Sequence, residues 1–225
     1  MRRIRALLIA LVVWCAWLSI LPAYAADPAT VTFALDFPGS EPEHYSISVQ
    51  ADGHAKYECL GKISSDSDDT ENYQADFTFS GATRARVFEL AAQAHYFSGK
   101  IDSGNHKLAF TGNKKLTYTD GHSNSSATYN FSALPPVQQL TALFQAVGAT
   151  MEFSRRLAYY HRYQKLALDD ELRRMEEEAH AGELSELGAA RPVLQEIYND
   201  SSVINVVRAR AERIMEMAKG ASAGR

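Results

Sequence analysis

The stretch Tyr45-Ser46-Ile47-Ser48-Val49-Gln50-Ala51-Asp52-Gly53-His54-Ala55-Lys56-Tyr57-Glu58-Cys59 decides how the chain folds. Its apolar residues fall at every second position: Tyr45, Ile47 and Val49 before the Asp52-Gly53 pair, then Ala55, Tyr57 and Cys59 after it. Side chains alternate across a strand, so the pattern reads as two strands that each bury one face. Asp-Gly between them supplies the positive φ of a tight hairpin turn.

Outward from this hairpin, period two holds from Val31 to Ser132. Thr32 to Phe37 is predicted as an opening strand, and Tyr73, Ala75, Phe77 and Phe79 form a third alternating set. Leu108 and Phe110 precede Gly112-Asn113, Leu116 and Tyr118 precede Asp120-Gly121, and Ala127, Tyr129 and Phe131 follow, which predicts three more strands in a meander. One helix interrupts the strands. Ser80 is its cap, and Val87, Leu90, Ala91, Ala94 and Phe97 make a stripe that can cover a sheet face. The order strands, helix, strands predicts an α+β fold: a mainly antiparallel sheet of six or seven strands with one packed helix.

Beyond Leu134-Pro135-Pro136 the period becomes helical and stays so. Leu140, Leu143, Phe144, Val147 and Met151 recur every three or four residues, and the pattern continues, with a bend expected near Gly148, through Leu168, Leu172 and Met175. A short helix is expected over Val193 to Tyr198 and a last one over Val203 to Lys219. The organisation expected is a signal peptide (1–25), a sheet domain (26–134), a helical region (135–219) and a frayed tail (220–225).

The amino end carries Arg2, Arg3 and Arg5, an apolar run from Ala6 to Leu21 and the small-x-small site Ala23-Tyr24-Ala25. This is the grammar of a cleavable secretory signal. The run is roughly 16 residues, short of the roughly 20 that span a bilayer, so no permanent membrane span is expected after cleavage. Cleavage removes three arginines and no acid. The remaining 20 basic and 27 acidic residues give a net charge of −7, which argues against nucleic acid as a partner. Only Cys59 survives processing, so no internal disulfide forms, and its place in a strand pattern reads as a buried thiol.

Searches for chemistry find no strong motif. His44, His54, His95, His106, His122, His161 and His180 are scattered without zinc spacing, so no metal or cofactor is expected. Asp66-Ser67-Asp68-Asp69-Thr70-Glu71 lacks the central glycine and distal glutamate of a calcium loop. The acidic run about Glu176-Glu177-Glu178 sits among arginines at i, i+3 and i, i+4 spacing, as on a solvated helix face. Nucleophile-elbow and zincin patterns do not occur.

The segment Glu43 to Tyr57, the Ser80 to Phe97 helix and the Leu116 to Phe131 hairpin resemble exported bacterial domains of unknown function that carry a Tyr-Ser-x-x-Val-x-x-Asp-Gly-x-x-x-Tyr hairpin. The resemblance spans residues 31–150 and implies an exported α+β domain. It implies no activity and no site residues, and the helical carboxyl third lies outside it.

The function expected is that of an exported non-catalytic envelope protein, periplasmic or extracellular, which binds another protein or an envelope component. The alternative is a hydrolase with a dispersed active site. The expected interaction surface lies on the first long helix. Leu140, Phe144, Val147, Met151, Ala158, His161, Leu168 and Leu172 share one face, while Phe153, Arg156, Tyr159, Tyr160 and Tyr163 gather on the other. Tyrosine and arginine are the types enriched at binding hot spots.

Overall fold

A computed structural model describes residues 28–63, 70–105 and 107–223, and among these six antiparallel strands form one open sheet. They are β1 (Thr30–Asp36), β2 (His44–Gln50), β3 (His54–Lys62), β4 (Thr70–Thr78), β5 (Asn113–Thr119) and β6 (Asn124–Tyr129), in the order β4-β3-β2-β1-β5-β6. The expected signal segment and the centre of the acidic loop lie outside the described residues. Five helices complete the α+β fold: α1 (Gly81–Gln93), α2 (Pro135–Tyr163), α3 (Leu168–Ala181), α4 (Arg191–Asn199) and α5 (Asn205–Ala223).

The β2–β3 hairpin forms as the sequence predicts. Tyr45 faces Cys59, Ile47 faces Tyr57 and Val49 faces Ala55, which puts both alternating sets on one buried face. Gly53 takes φ +99 in the turn. The first strand to be made lies near the middle of the sheet, since β1 pairs with both β2 and β5. The expected strand at Leu108 and Phe110 does not form. Both side chains are exposed in a connection, and Phe110 rests edge-on against Phe37 at 5.9 Å, so a two-residue alternation is satisfied by a surface contact.

Helix α1 starts where Ser80 Oγ accepts from the Thr83 amide at 3.3 Å, and it buries Val87, Leu90 and Ala91 on the sheet. After it His95, Tyr96 and Phe97 take φ of +50, +50 and +64, a left-handed turn without glycine. Such residues cost roughly 1–2 kcal/mol each. Burial of Phe97, the Tyr96 ring 4.4 Å from Tyr118 and a hydrogen bond from Ser125 Oγ to the Tyr96 carbonyl offset that cost.

Helix α2 is 29 residues long and is shared by two cores. Its first half presses Val137, Leu140, Phe144, Val147 and Met151 onto the sheet, with Phe144 stacked on Phe33 at 5.5 Å. The expected bend at Gly148 is absent, because the helix runs unbroken through it. The glycine instead admits the Tyr45 ring, and a Cβ there would lie 3.0 Å from Tyr45 Cε2. The second half buries Phe153 and Leu157 among α3, α4 and α5.

Three further expectations are corrected here. The helix stops at Tyr163 instead of continuing through Met175, and a 3-10 turn at Lys165–Ala167 folds α3 back alongside it. The expected aliphatic face does not persist either: Ala158 is exposed, while Phe153, placed on the opposite face, is buried. The stripe rotates because the helix changes partner from sheet to helices after Met151. The apolar contacts therefore pass from one core to the other within α2, the helix that opens the helical region at Pro135. The last helix runs on to Ala223, beyond the expected end at Lys219.

Candidate functional site

Four side chains were expected to act together on α2: Arg156, Tyr159, Tyr160 and Tyr163. Their surroundings follow from what α2 meets along its second half, beginning with two charged residues inside its apolar stripe. Glu152 and Arg155 are buried where the two cores meet. Tyr57 Oη donates to Glu152 Oε1 at 2.5 Å, and Arg155 donates to Glu152 Oε2 from Nε at 3.2 Å and Nη2 at 2.9 Å. Arg155 Nη2 also reaches the Lys62 carbonyl at 2.8 Å. The pair thus rivets α2 to the end of β3. Burial, and next the Glu152 charge, push the Tyr57 hydroxyl far up and the Cys59 thiol up to about 12, so the thiol stays protonated and unreactive. Burial disfavours the Arg155 charge, but Glu152 outweighs it and holds the guanidinium above its usual range.

Arg156 is committed within the chain. Its Nε donates to Glu171 Oε1 of α3 at 2.6 Å, Arg174 bonds the other Glu171 oxygen at 3.4 Å, and the Arg156 guanidinium lies 4.9 Å from the Phe153 ring centroid. Tyr160 is half-buried against the second core. Tyr159 is half-buried as well, with its ring 5.1 Å from that of Tyr163. Tyr163 is 62% exposed. Of the expected surface, then, the structure leaves Tyr163 open, with Tyr159 beside it, and gives Arg156 and Tyr160 internal partners.

Tyr163 ends α2, two residues before a second group at the turn that follows. The turn after α2 is tied to the α4–α5 connection: Lys165 Nζ donates to Asp200 Oδ2 at 2.6 Å and Ser202 Oγ at 2.5 Å, and His161 Nε2 lies 3.0 Å from the same carboxylate. The Lys165 hydrogen bond, followed by those of Ser202 and His161, holds Asp200 well below the usual carboxylate range. Around this tie stand apolar side chains that cover nothing. Leu166 is 99% exposed, Ile204 64% and Val206 52%. Leu166 adjoins Lys165, and Ile204 lies two residues from Ser202.

Sequence reading missed this tip. Leu166 sits off every helical stripe, two residues before the buried Leu168, and Val206 looks like part of the buried stripe of α5. A lone leucine between Lys165 and Ala167 was the available signal.

Clefts also lie elsewhere among the described residues. One of about 550 Å³ is lined by Thr119, His122 and Asn124, and one of about 430 Å³ by Asp102, Phe110 and Tyr129. Another, about 490 Å³, lies between the β5–β6 end and α2, where Lys114 Nζ donates to the Thr111, Gly112 and Asn130 carbonyls and to Thr111 Oγ1. Burial pushes Lys114 down and Tyr129 up to about 12. Among the described residues no group of three or more His, Cys, Asp or Glu side chains could hold a metal ion, and no helix is long and apolar enough to cross a membrane. No protein-family model and no curated protein matches the chain.

Proposed function

We propose that the protein is an exported, non-catalytic binding module that docks onto an envelope component through the turn after α2 in its helical region. The observation that carries this reading is the cluster of Tyr163, Leu166, Ile204 and Val206 around the Lys165–Asp200 tie. Exposed apolar side chains also occur on the sheet side, among them Phe110 and Phe131, but none is as bare as Leu166, and large apolar side chains gathered at one point mark interaction sites. The exported setting comes from the amino-terminal signal grammar and from the resemblance to exported domains. A hydrolase would need an acid, base or nucleophile converging on a cleft. The clefts described above offer His122, or Asp102 with Tyr129, or Lys114 with Tyr129, and the Lys114 ammonium is already engaged by carbonyls.

A photo-crosslinking residue placed at 166 in intact cells tests the reading. Adducts are expected there and not at Lys115, an exposed position on the sheet. Equal labelling at both positions, or none at 166, contradicts it.

A further inference from the structure

We infer that the tip docks on a bilayer surface containing anionic lipid, an inference that rests on the reading of the tip given above and names its partner. The first support is shape and chemistry. Leu166 projects from a one-turn helix with nothing covering it, and the bonds of Lys165 to Asp200 and Ser202 bring its turn to the segment that carries the exposed Ile204 and Val206. Exposed aliphatic side chains with a tyrosine three residues away suit the boundary between acyl chains and headgroups, where an aromatic ring with a polar end settles.

Charge supplies the second support. Segments 159–166 and 199–208 hold Arg162, Lys165 and Arg208 against one carboxylate, Asp200, in a chain whose acids outnumber its bases. Elsewhere in the helical region most arginines are matched to carboxylates, with Arg191 the exception among the described residues: Arg155 with Glu152, Arg156 with Glu171, Arg173 with Asp170 and Glu177, Arg213 with Glu176. Among the described residues neither Arg162 nor Arg208 forms an ion pair. Arg162 lies over the Tyr163 ring at 5.3 Å, and Arg208, half-buried with its Nε shielded and unpartnered, bonds the neutral Asn205 side chain through Nη2 at 2.5 Å. Guanidinium groups left without carboxylates beside exposed apolar side chains fit phosphate headgroups, which accept their hydrogen bonds and balance their charge. A protein partner would need an acidic apolar patch to meet the same demand. The bilayer meets it with one surface.

The test is co-sedimentation of the exported, processed chain with vesicles of phosphatidylcholine alone or with about 30% phosphatidylglycerol, a content that gives an anionic surface potential. Pelleting is expected with the mixed vesicles, several-fold less with phosphatidylcholine, and a fall as salt is raised from about 0.05 to 0.5 M, which shortens the screening length. Leu166→Ser combined with Ile204→Ser should weaken partition about tenfold or more with an unchanged melting curve. Arg162→Gln with Arg208→Gln should erase the preference for mixed vesicles. Absence of pelleting, or equal pelleting of wild type and the Leu166/Ile204 variant, overturns the lipid assignment. If vesicles fail while crosslinks at 166 join a protein, the docking reading stands and the partner is that protein. If no adduct forms at 166, both fall.

Discussion

The sheet and the helical region are joined by one helix, yet they solve burial in opposite ways. On the sheet, period two sorts the chain: Val31, Phe33, Tyr45, Ile47 and Tyr57 turn inward, and the helix-free face shows a polar carpet in which Glu58, Ser46, Ala34, Lys115 and Thr128 align across the strands. Most of the titratable groups buried there are weak acids that burial keeps neutral, with the Lys114 ammonium the exception. The helical region instead binds its layers with charge, through Arg156–Glu171 between α2 and α3 and Arg210 and Arg213 on Glu176 between α3 and α5. The region that is tied together by ions also carries the most exposed apolar side chain, Leu166, and under the proposed docking the sheet side would support while the helical region meets the partner.

The largest effect should come from removing the rivet between them. Arg155→Met leaves the buried Glu152 carboxylate with only the more distant Arg156, 4.0 Å away, as its cation, and breaking a buried pair this way costs up to roughly 3–5 kcal/mol. Denaturant titration followed by far-ultraviolet circular dichroism should show that loss, with the transition becoming broader or two-stepped. A change under about 1 kcal/mol would mean that the pair is dispensable.

Opposite buried chemistry predicts opposite pH limits. Acids whose folded pKa is raised stabilise fully below their unfolded pKa and lose that stabilisation as pH rises. Tyr45, Tyr57, Tyr129 and Cys59, all raised chiefly by burial, should therefore loosen the sheet side from about pH 9 upward. Asp200 and Glu176 are depressed, by Lys165 and Arg213 first, so their contribution is present above about pH 4 and fades as the pH falls below it. Hydrogen exchange at the two extremes should open β3 first in alkali and the α3–α5 layer first in acid. The same order at both extremes would contradict the contrast.

Gly148→Ala is a smaller probe, confined to the sheet side. The new methyl meets Tyr45, whose ring lies 6.0 Å from those of both Phe33 and Tyr57 and has little room to yield, so the gain in helix propensity is outweighed. A loss of roughly 1–2 kcal/mol is expected by thermal melting. A rise in melting temperature would show that Tyr45 moves aside freely. Smallest of all, Leu166→Ser should change stability by no more than about 0.5 kcal/mol, because the side chain covers nothing. A clear drop in melting temperature would mean that Leu166 has an internal partner.

These sites were unequally legible in the sequence. The hairpin from Tyr45 to Cys59 and the Ser80 cap could be read directly, because their signals are local: alternation, Asp-Gly and a hydroxyl that reaches Thr83. The central place of β1 could not, since nothing in Thr30 to Asp36 says that β5, about 80 residues later, will pair with it. The length of α2 was overread because Met151, Leu168, Leu172 and Met175 continue a stripe whose buried side had already rotated at Phe153. Glu152 and Arg155 look like solvated helix charges until Tyr57 and the carbonyl of Lys62 arrive from β3. Glu186 was equally hidden: it takes a left-handed φ of +56 and accepts from the Ser80 amide and hydroxyl at 2.9 and 2.7 Å, a second tie between the regions across 106 positions.

The claim that α2 makes one cooperative body of two cores is tested most directly by native-state hydrogen exchange along that helix. Amides on either side of Glu152, such as those of Phe144 and Leu157, should share one opening free energy in the wild type and part in Arg155→Met, with Leu157 opening first. Separate opening energies for Phe144 and Leu157 in the unaltered protein would contradict it.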